Sequence, residues 1–284
     1  MTRYAEVIGD PIAQSKSPTI HRFWLEKLGI AADYGATRVT EDEVKDYLAD
    51  RQADPQWLGC NVTMPLKKAV IPHLYSVEEP AASIGAVNTI YPAFDRLLTG
   101  TNTDAAGFLE PLKTQLQAAH LFRMARILGA GGAARGIAHA LAAHNFTLVI
   151  AARRTEQAGE LVRSLPPETQ THMTSLDSFA NPTDFAFDDR IGLLDLVVNA
   201  SPLGMRGKPP LAFDWSHAPP GSIAYDIVTD PVDTEFLKAA RQAGHETIDG
   251  LAMLIGQAAD AFRLFFGQQP PRQFDVELRE RLAG

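Results

Sequence analysis

The chain has 284 residues, 45% hydrophobic and 21% charged, with 21 glycines, 19 prolines and one cysteine. These values fit about two globular domains and exclude disordered and collagen-like chains. A net charge of −8 argues against a general nucleic-acid binder, and Cys60 alone permits no internal disulfide and no cysteine-built metal site, which fits a reduced, cytoplasmic setting.

Residues 1–11 carry Glu6 and Asp10 and no long apolar run, so no targeting segment is expected. Tyr4 to Gly9 reads as a short strand. Ser17-Pro18 predicts a helix start, with Ser17 as N-cap, Ile20, Phe23, Trp24 and Leu28 at helical spacing, and Gly29 as the stop. Thr40-Glu41-Asp42-Glu43 is a capping box with Val44, Tyr47 and Leu48 facing inward behind it. Leu58 to Thr63 and Ala86 to Tyr91 read as buried strands, and Pro65 predicts a second helix start. From Asp104, an N-cap candidate, Phe108, Leu109, Leu112 and Leu116 form a helical face.

Ala125 to Leu128 is a strand running into Gly129-Ala130-Gly131-Gly132, followed by a helix to about Ala143 and the strand Thr147 to Ala151. Arg126, Arg135, His139, His144 and Asn145 interrupt this Ala-rich stretch, so it is no membrane span. Thr155 predicts the cap of a helix carrying Leu161, Val162 and Leu165. The segment 166–190 reads as loop with one short strand. Leu194 to Asn199 and Ser222 to Ile227 are further strands, and Met253 to Phe266 is the last long helix. Strands alternating with helices define an α/β fold with a mostly parallel, doubly wound sheet. The expected division is a discontinuous first domain, 1–103 plus 247–284, around a second, 104–246.

Gly129-x-Gly131-x-x-Ala134 stands between a strand and a helix, the context the dinucleotide fingerprint requires. The first glycine permits a tight turn. The second lets backbone approach a pyrophosphate, and the helix N-terminus offers free N–H groups to the anion. A site for NAD normally has an acid about 20 residues on, for the ribose hydroxyl. Here the second strand ends Ala152-Arg153-Arg154-Thr155. Two guanidiniums and a hydroxyl suit a 2′-phosphate, so NADP(H) is the expected cofactor.

Four polar segments mark the first part of the chain: Ser15-Lys16-Ser17-Pro18, Asn61 to Lys67, Gly85 to Thr89 and Gly100 to Asp104. Each has a local explanation as cap or turn. Together they gather hydroxyls, amides, one lysine and one carboxylate at element ends, a mixture suited to a small polyhydroxylated acid. Carbonyl reduction also needs a proton donor, and Lys67 and Asp104 are the candidates.

These motifs identify the family. Ser-Lys-Ser-Pro at 15–18, Asn-Val-Thr-Met-Pro-Leu-Lys at 61–67, Gly-Ala-Val-Asn-Thr at 85–89 and Asn-Thr-Asp at 102–104 resemble shikimate dehydrogenases. So do Gly-Ala-Gly-Gly-Ala at 129–133, Asn-Ala-Ser-Pro-Leu-Gly-Met at 199–205, and Asp249-Gly250-Leu251 continuing to Gln257-Ala258-Ala259. The matches run in family order along nearly the whole chain. The resemblance implies an N-terminal α/β substrate domain, rejoined by the C-terminal helices, and a Rossmann-type NADP domain. The implied reaction is NADPH-dependent, reversible reduction of 3-dehydroshikimate to shikimate.

By the resemblance, Lys67 and Asp104 are the catalytic pair. Ser15 and Ser17 bind the substrate carboxylate, and Thr63, Asn88, Asp104 and Gln257 bind ring hydroxyls. Gly129, Ala130, Gly131, Gly132, Ala133, Arg153, Arg154 and Thr155 hold the cofactor, with weaker contacts from Glu79, Ile227 and Gly250. Thr229 takes a substrate-side position where many members carry a tyrosine, so that contact is shortened or lost. The family usually has Asn-Arg-Thr where this chain has Arg153-Arg154-Thr155, and a glycine where Ala105 follows Asp104. The segment 166–190 is longer than usual.

A helix N-terminus at Lys67 destabilises its cation by about 0.3–1 kcal/mol, and the Asp104 carboxylate opposes that effect. A protonated Lys67 therefore suits proton donation, with Asp104 orienting the hydroxyl. The expected partners are small molecules, with no nucleic acid, membrane or metal, and the expected assembly is a monomer or homodimer. A quinate/shikimate dehydrogenase of broader specificity is the alternative enzyme. A non-catalytic nucleotide-binding regulator on the same fold is the alternative from another class.

Overall fold

A computed structural model describes residues 2–180 and 192–283. The chain divides into two compact units, residues 1–107 with 255–284, and residues 108–254.

The first unit is built on a six-stranded mixed sheet. Its strands are β1 (Arg3–Gly9), β2 (Ala32–Arg38), β3 (Trp57–Val62), β4 (Ser76–Val77), β5 (Thr89–Pro92) and β6 (Leu98–Thr101), in the order β2-β1-β3-β5-β6-β4. β1 lies parallel to β2 and β3, whereas β5 runs antiparallel to both β3 and β6. β4 and β6 are again parallel, so β5 alone departs from the mostly parallel arrangement expected. The physical reason is the short connection between β5 and β6. Asp95 and Arg96 take positive φ there, and the Arg96 guanidinium donates to the Gln52 and Asp54 carbonyls at 2.9 and 2.6 Å. A connection this short joins only antiparallel strands.

Helix Ser17–Leu28 covers one face of this sheet, burying Ile20, Phe23, Trp24 and Leu25. Gly29 ends it in the left-handed conformation at φ 64°, as glycine best can. The N-cap is Lys16 rather than Ser17, and its side chain makes no cap bond; the Lys16 ammonium instead donates to the Leu282 carbonyl at 2.6 Å. Trp24 meets Phe262 edge-on, with ring centroids 5.5 Å apart. The capping box at Thr40 forms, its N–H donating to Glu43 Oε2 at 2.8 Å, and Val44 and Leu48 are buried behind it. On the other face, Trp57, Cys60, Val62, Leu66, Val70 and Ile90 form the core, with Cys60 a fully buried free thiol.

The second unit is an all-parallel sheet of β7 (Phe122–Leu128), β8 (Thr147–Ala151), β9 (Thr171–Thr174), β10 (Leu193–Asn199), β11 (Ile223–Asp226) and β12 (Glu246–Ile248). The spatial order is β12-β11-β10-β7-β8-β9. Counted from β7, this is the doubly wound order 3-2-1-4-5-6, whose switch point falls between β7 and β10. Ile127, Ile150, Leu196 and Val198 pack with Ala134, Ile137 and Leu141 of helix Gly132–Ala142. Small residues at 134 and 138 bring that helix close to the sheet. Between β8 and β9, helix Thr155–Ser164 has Arg154 as its N-cap, one residue before the predicted cap, with no side-chain cap bond. The predicted short strand of segment 166–190 is β9, and helix Leu176–Ala180 follows it; the rest of the segment, from 181, lies outside the described residues.

Candidate active site

In the first unit, three polar side chains converge where β3 and β6 end and the antiparallel β5 begins. Lys67 follows β3. The helix predicted from Pro65 does not form; the chain runs through consecutive turns to a short 3-10 segment, Ile71–His73. The helix-terminus effect predicted on the Lys67 ammonium therefore has no source. Lys67 is held instead by its carbonyl, which accepts from Val87 N–H at 2.8 Å. Asp104 opens helix Asp104–Leu109 as its first helical residue rather than its N-cap, and its N–H donates to Asn102 Oδ1 at 3.0 Å.

The Lys67 ammonium pairs directly with Asp104 Oδ2, and the two side chains are only 15% and 8% exposed. Asn88 Nδ2 donates to the other carboxylate oxygen at 2.8 Å and to Thr103 Oγ1 at 3.0 Å. Thr103 Oγ1 lies 3.5 Å from Gln257 Oε1, which adds the long C-terminal helix Gly250–Phe266 to the cluster. The structure therefore groups Lys67, Asn88, Asp104 and Gln257. Chemically, the group offers one mobile proton on a cation, one carboxylate acceptor and two amides, a set able to protonate a carbonyl oxygen and orient ring hydroxyls.

Ser15 and Ser17 sit together at the start of helix Ser17–Leu28, with Ser17 N–H 3.3 Å from Ser15 Oγ. Thr63 is half-buried at the end of β3, its N–H donating to the Ile8 carbonyl at 2.9 Å. Glu79 is exposed and accepts locally from Ser83 N–H at 3.3 Å.

In the second unit, the turn after β7 carries the glycines. Gly129 has φ 124°, and a Cβ there would lie 2.4 Å from the Ala200 carbonyl oxygen. Only glycine lets the β7 and β10 loops meet at the switch point. Gly131 is different: it is the N-cap of helix Gly132–Ala142, and a Cβ on it would meet no protein atom within 4 Å. Protein packing does not require glycine at 131, but a pyrophosphate lying against the helix N-terminus does. Ala130, Gly132 and Ala133 complete the turn. Arg153, Arg154 and Thr155 are exposed at the end of β8, and neither arginine is held by a side-chain bond among the described residues. They remain available to an anion, so the residues present fit a phosphorylated dinucleotide.

Ile227 is half-buried against the core of this unit. Gly250 has a packing role of its own, since a Cβ there would lie 2.3 Å from the Val228 carbonyl oxygen. Thr229 is half-buried in the following loop. Beneath that loop, the buried Asp226 accepts from Asn199 Nδ2 at 3.0 Å, Val228 N–H at 3.0 Å and Thr234 Oγ1 at 2.7 Å. Burial pushes the Asp226 carboxyl above its ordinary range, against these three donors.

Sequence reasoning assigned no role to Tyr34, Asn61 or Thr89. All three are buried polar residues leading to Asn88. Asn61 and Thr89 lie in the polar segments 61–67 and 85–89 singled out in the sequence, without an individual role, and Tyr34 lies outside them. No helix among the described residues is long and apolar enough to cross a membrane.

A glycine turn at the switch point of a doubly wound sheet, in a chain that also carries a lysine–carboxylate pair, is the equipment of a dinucleotide-dependent oxidoreductase. Comparison narrows the class. Residues 7–90 match the shikimate dehydrogenase substrate binding domain, and residues 250–274 the shikimate 5'-dehydrogenase C-terminal domain. The chain is 47% identical over 282 residues to a shikimate dehydrogenase (NADP(+)) of Sphingopyxis alaskensis, covering 99% of this chain and 97% of that one. A crystal structure of the Thermus thermophilus shikimate 5-dehydrogenase in complex with NADP(H) and shikimate is 33% identical, with a TM-score of 0.81, covering 99% and 100% of the two chains. The quinate dehydrogenase of Corynebacterium glutamicum in complex with NAD is 31% identical, with a TM-score of 0.82, covering 99% of each. This chain belongs to the shikimate dehydrogenase family.

Proposed function

We propose that the chain catalyses the reversible, NADPH-dependent reduction of 3-dehydroshikimate to shikimate. The observation that carries this reading is the Lys67–Asp104 pair with Asn88 bound behind it. NADPH, when bound, supplies the hydride that the ketone carbon takes up. The ketone oxygen then needs one proton. The Lys67 ammonium gives it, and in the reverse direction the neutral amine recovers it from the alcohol. Asp104 keeps Lys67 oriented and accepts a hydrogen bond from a ring hydroxyl. Asn88, Gln257 and Thr63 hold the ring hydroxyls, and Ser15 and Ser17 hold the carboxylate. Thr229 takes the position at which a tyrosine is common, with a shorter side chain to offer the substrate.

On the cofactor side, the backbone from Gly129 to Ala133 receives the pyrophosphate. Arg153, Arg154 and Thr155 receive the 2′-phosphate, with lesser contacts from Glu79, Ile227 and Gly250. The enzyme acts on small molecules in the cytoplasm, as a monomer or homodimer; the single, fully buried Cys60 supports a reducing compartment.

The test is NADPH absorbance with 3-dehydroshikimate as substrate. Stoichiometric oxidation is expected. Tight NADPH binding without turnover would replace the enzyme reading with a nucleotide-binding regulator. Parallel assays with quinate and with NAD+ read the breadth of specificity.

A further inference from the structure

The buried residues behind Asn88 form a hydrogen-bonded chain with a fixed direction. Tyr34 on β2 bonds Asn61 Oδ1 at 2.6 Å. Asn61 Nδ2 lies 3.0 Å from Thr89 Oγ1, and Thr89 Oγ1 lies 2.9 Å from Asn88 Oδ1. Asn88 Nδ2 then reaches Asp104 Oδ1 at 2.8 Å. Asn61 lies near the end of β3, Thr89 begins β5 with Asn88 just before it, and Asp104 opens helix Asp104–Leu109; Tyr34, Asn61, Thr89 and Asn88 are all buried.

Each donor is determined by its neighbours. Asn61 Nδ2 also faces the Asn88 carbonyl at 3.3 Å, which only accepts, so the nitrogen of that amide points inward and its oxygen points to Tyr34. Asn88 Oδ1 faces Thr103 N–H at 2.8 Å, which only donates, so its amide is fixed as well. The Thr89 hydroxyl stands between an amide donor and an amide acceptor. Its single proton therefore goes to Asn88. Burial holds the Tyr34 phenol well above its ordinary pKa, so it remains a donor at every working pH.

We propose that Thr89, with Asn61 and Tyr34 behind it, is a positioning residue for the reaction: its hydroxyl proton adds to the Thr103 N–H as a donor to Asn88 Oδ1, and so holds the Asn88 amide firmly in the orientation that presents a donor, never an acceptor, to Asp104. The inference rests on the proposed activity for its kinetic readout. Bonds that all point one way reinforce each other, so the last donation, to the carboxylate paired with Lys67, gains from the ones before it. A reversed Asn88 would set a carbonyl against that carboxylate and turn Asp104 away from Lys67 and the substrate. None of the three residues reaches the Lys67–Asp104 pair itself.

The experiment compares Thr89→Val, which keeps the shape and removes the proton, with Thr89→Ser, which keeps the proton and loses a methyl. Rates are normalised to NADPH binding sites, so that unfolded protein is not counted. Thr89→Val is expected to lower kcat about ten-fold, the cost of weakening a hydrogen bond to a charged group, with the NADPH KM unchanged. Thr89→Ser is expected to stay within about two-fold of the parent. Parent-like kcat in Thr89→Val, or equal losses in both variants, would overturn the proposal, because packing alone would then explain the residue. Tyr34→Phe is the second variant should Thr89→Val not fold, with a smaller loss of kcat expected and an unchanged kcat overturning the proposal. If the parent does not oxidise NADPH with 3-dehydroshikimate, the proposed activity has failed, and the relay is read without turnover. The Asn88 side-chain amide protons are then expected to exchange with solvent faster in Thr89→Val than in the parent, and equal exchange overturns the relay.

Discussion

Lys67 and Asp104 are each other's direct partner, and the carboxylate oxygen that Lys67 leaves is taken by Asn88 at 2.8 Å. The ammonium thus stands beside a carboxylate whose position is set from behind. Lys67→Met keeps much of the stem and removes the proton carrier. We expect kcat to fall about 10²–10⁴-fold, the usual contribution of a positioned general acid, with a much smaller change in KM. Steady-state kinetics with 3-dehydroshikimate check this, and near-normal kcat would remove Lys67 from the chemistry.

Arg154 lies exposed at the end of β8 without a side-chain partner among the described residues. Arg154→Asp replaces an attraction for a 2′-phosphate with a repulsion. The ratio of kcat/KM for NADPH to that for NADH is expected to fall about 10–100-fold, from the loss of one charge-assisted contact. An equal loss with both cofactors would mean that Arg154 does not read the phosphate.

The two glycines of the turn separate cleanly. Gly131→Ala adds a Cβ where no protein atom lies within 4 Å. Its stability cost as an N-cap is expected to be below about 1 kcal/mol, while the NADPH KM rises several-fold. Gly129→Ala places a Cβ 2.4 Å from the Ala200 carbonyl at a φ of 124° and is expected to destabilise the unit itself. Thermal melts beside NADPH titrations distinguish the two outcomes.

Thr234 closes the network beneath the 227–231 loop. Its Oγ1 donates to Asp226 at 2.7 Å and accepts from Leu237 N–H at 3.3 Å, capping helix Glu235–Gln242. Thr234→Val removes both bonds and leaves a buried carboxylate short of a donor. A loss of about 2–4 kcal/mol is expected in urea unfolding, with the m-value unchanged.

His21 is fully buried, stacked on Tyr34 with centroids 4.0 Å apart, and neither ring nitrogen has a hydrogen-bond partner among the described residues. Burial lowers its pKa to about 3, from an ordinary 6.5. Between those values the unfolded chain takes up a proton that the folded chain refuses, so stability falls as the pH drops below about 6.5, by about 1.4 kcal/mol per unit. His21→Phe keeps a stacked ring and cannot titrate. The parent is expected to lose about 2 kcal/mol more than the variant between pH 7 and pH 5. Denaturant curves at the two pH values measure it, and parallel losses would show that His21 is not the titrating group.

Local signals carried much of this fold. β8 runs from Thr147 to Ala151 as its apolar run indicates, the Thr40–Glu43 box forms, and Gly29 stops its helix. What local patterns missed was set by tertiary context. Ser17 and Thr155 look like caps, but the caps fall one residue earlier, because neither side chain is used on its own helix end. Pro65 reads as a helix start, yet turns follow it, since the chain must bring Lys67 back beside Val87. The antiparallel β5 depends on a hairpin closed by Arg96 reaching residues more than forty positions away, which no local pattern encodes. The relay through Tyr34, Asn61 and Thr89 was invisible for the same reason: its members become neighbours only when four strands align. Asn61 and Thr89 fall in the same element-end motifs as Asn88 and Asp104, and those motifs show polar character without showing which group bonds which.

The first unit takes its last 30 residues from 255–284, including the ring of Phe262 that covers His21 and Trp24. During synthesis this has a consequence in time. Residues 108–254 leave the ribosome as one continuous stretch and can fold as soon as they emerge. The 107 residues made before them must wait for another 147 to be added before their own missing helix appears. At about 5–20 residues per second, that interval lasts about 7–30 s. Through it, the nascent chain carries an open aromatic face on helix Ser17–Leu28, where Phe262 later packs.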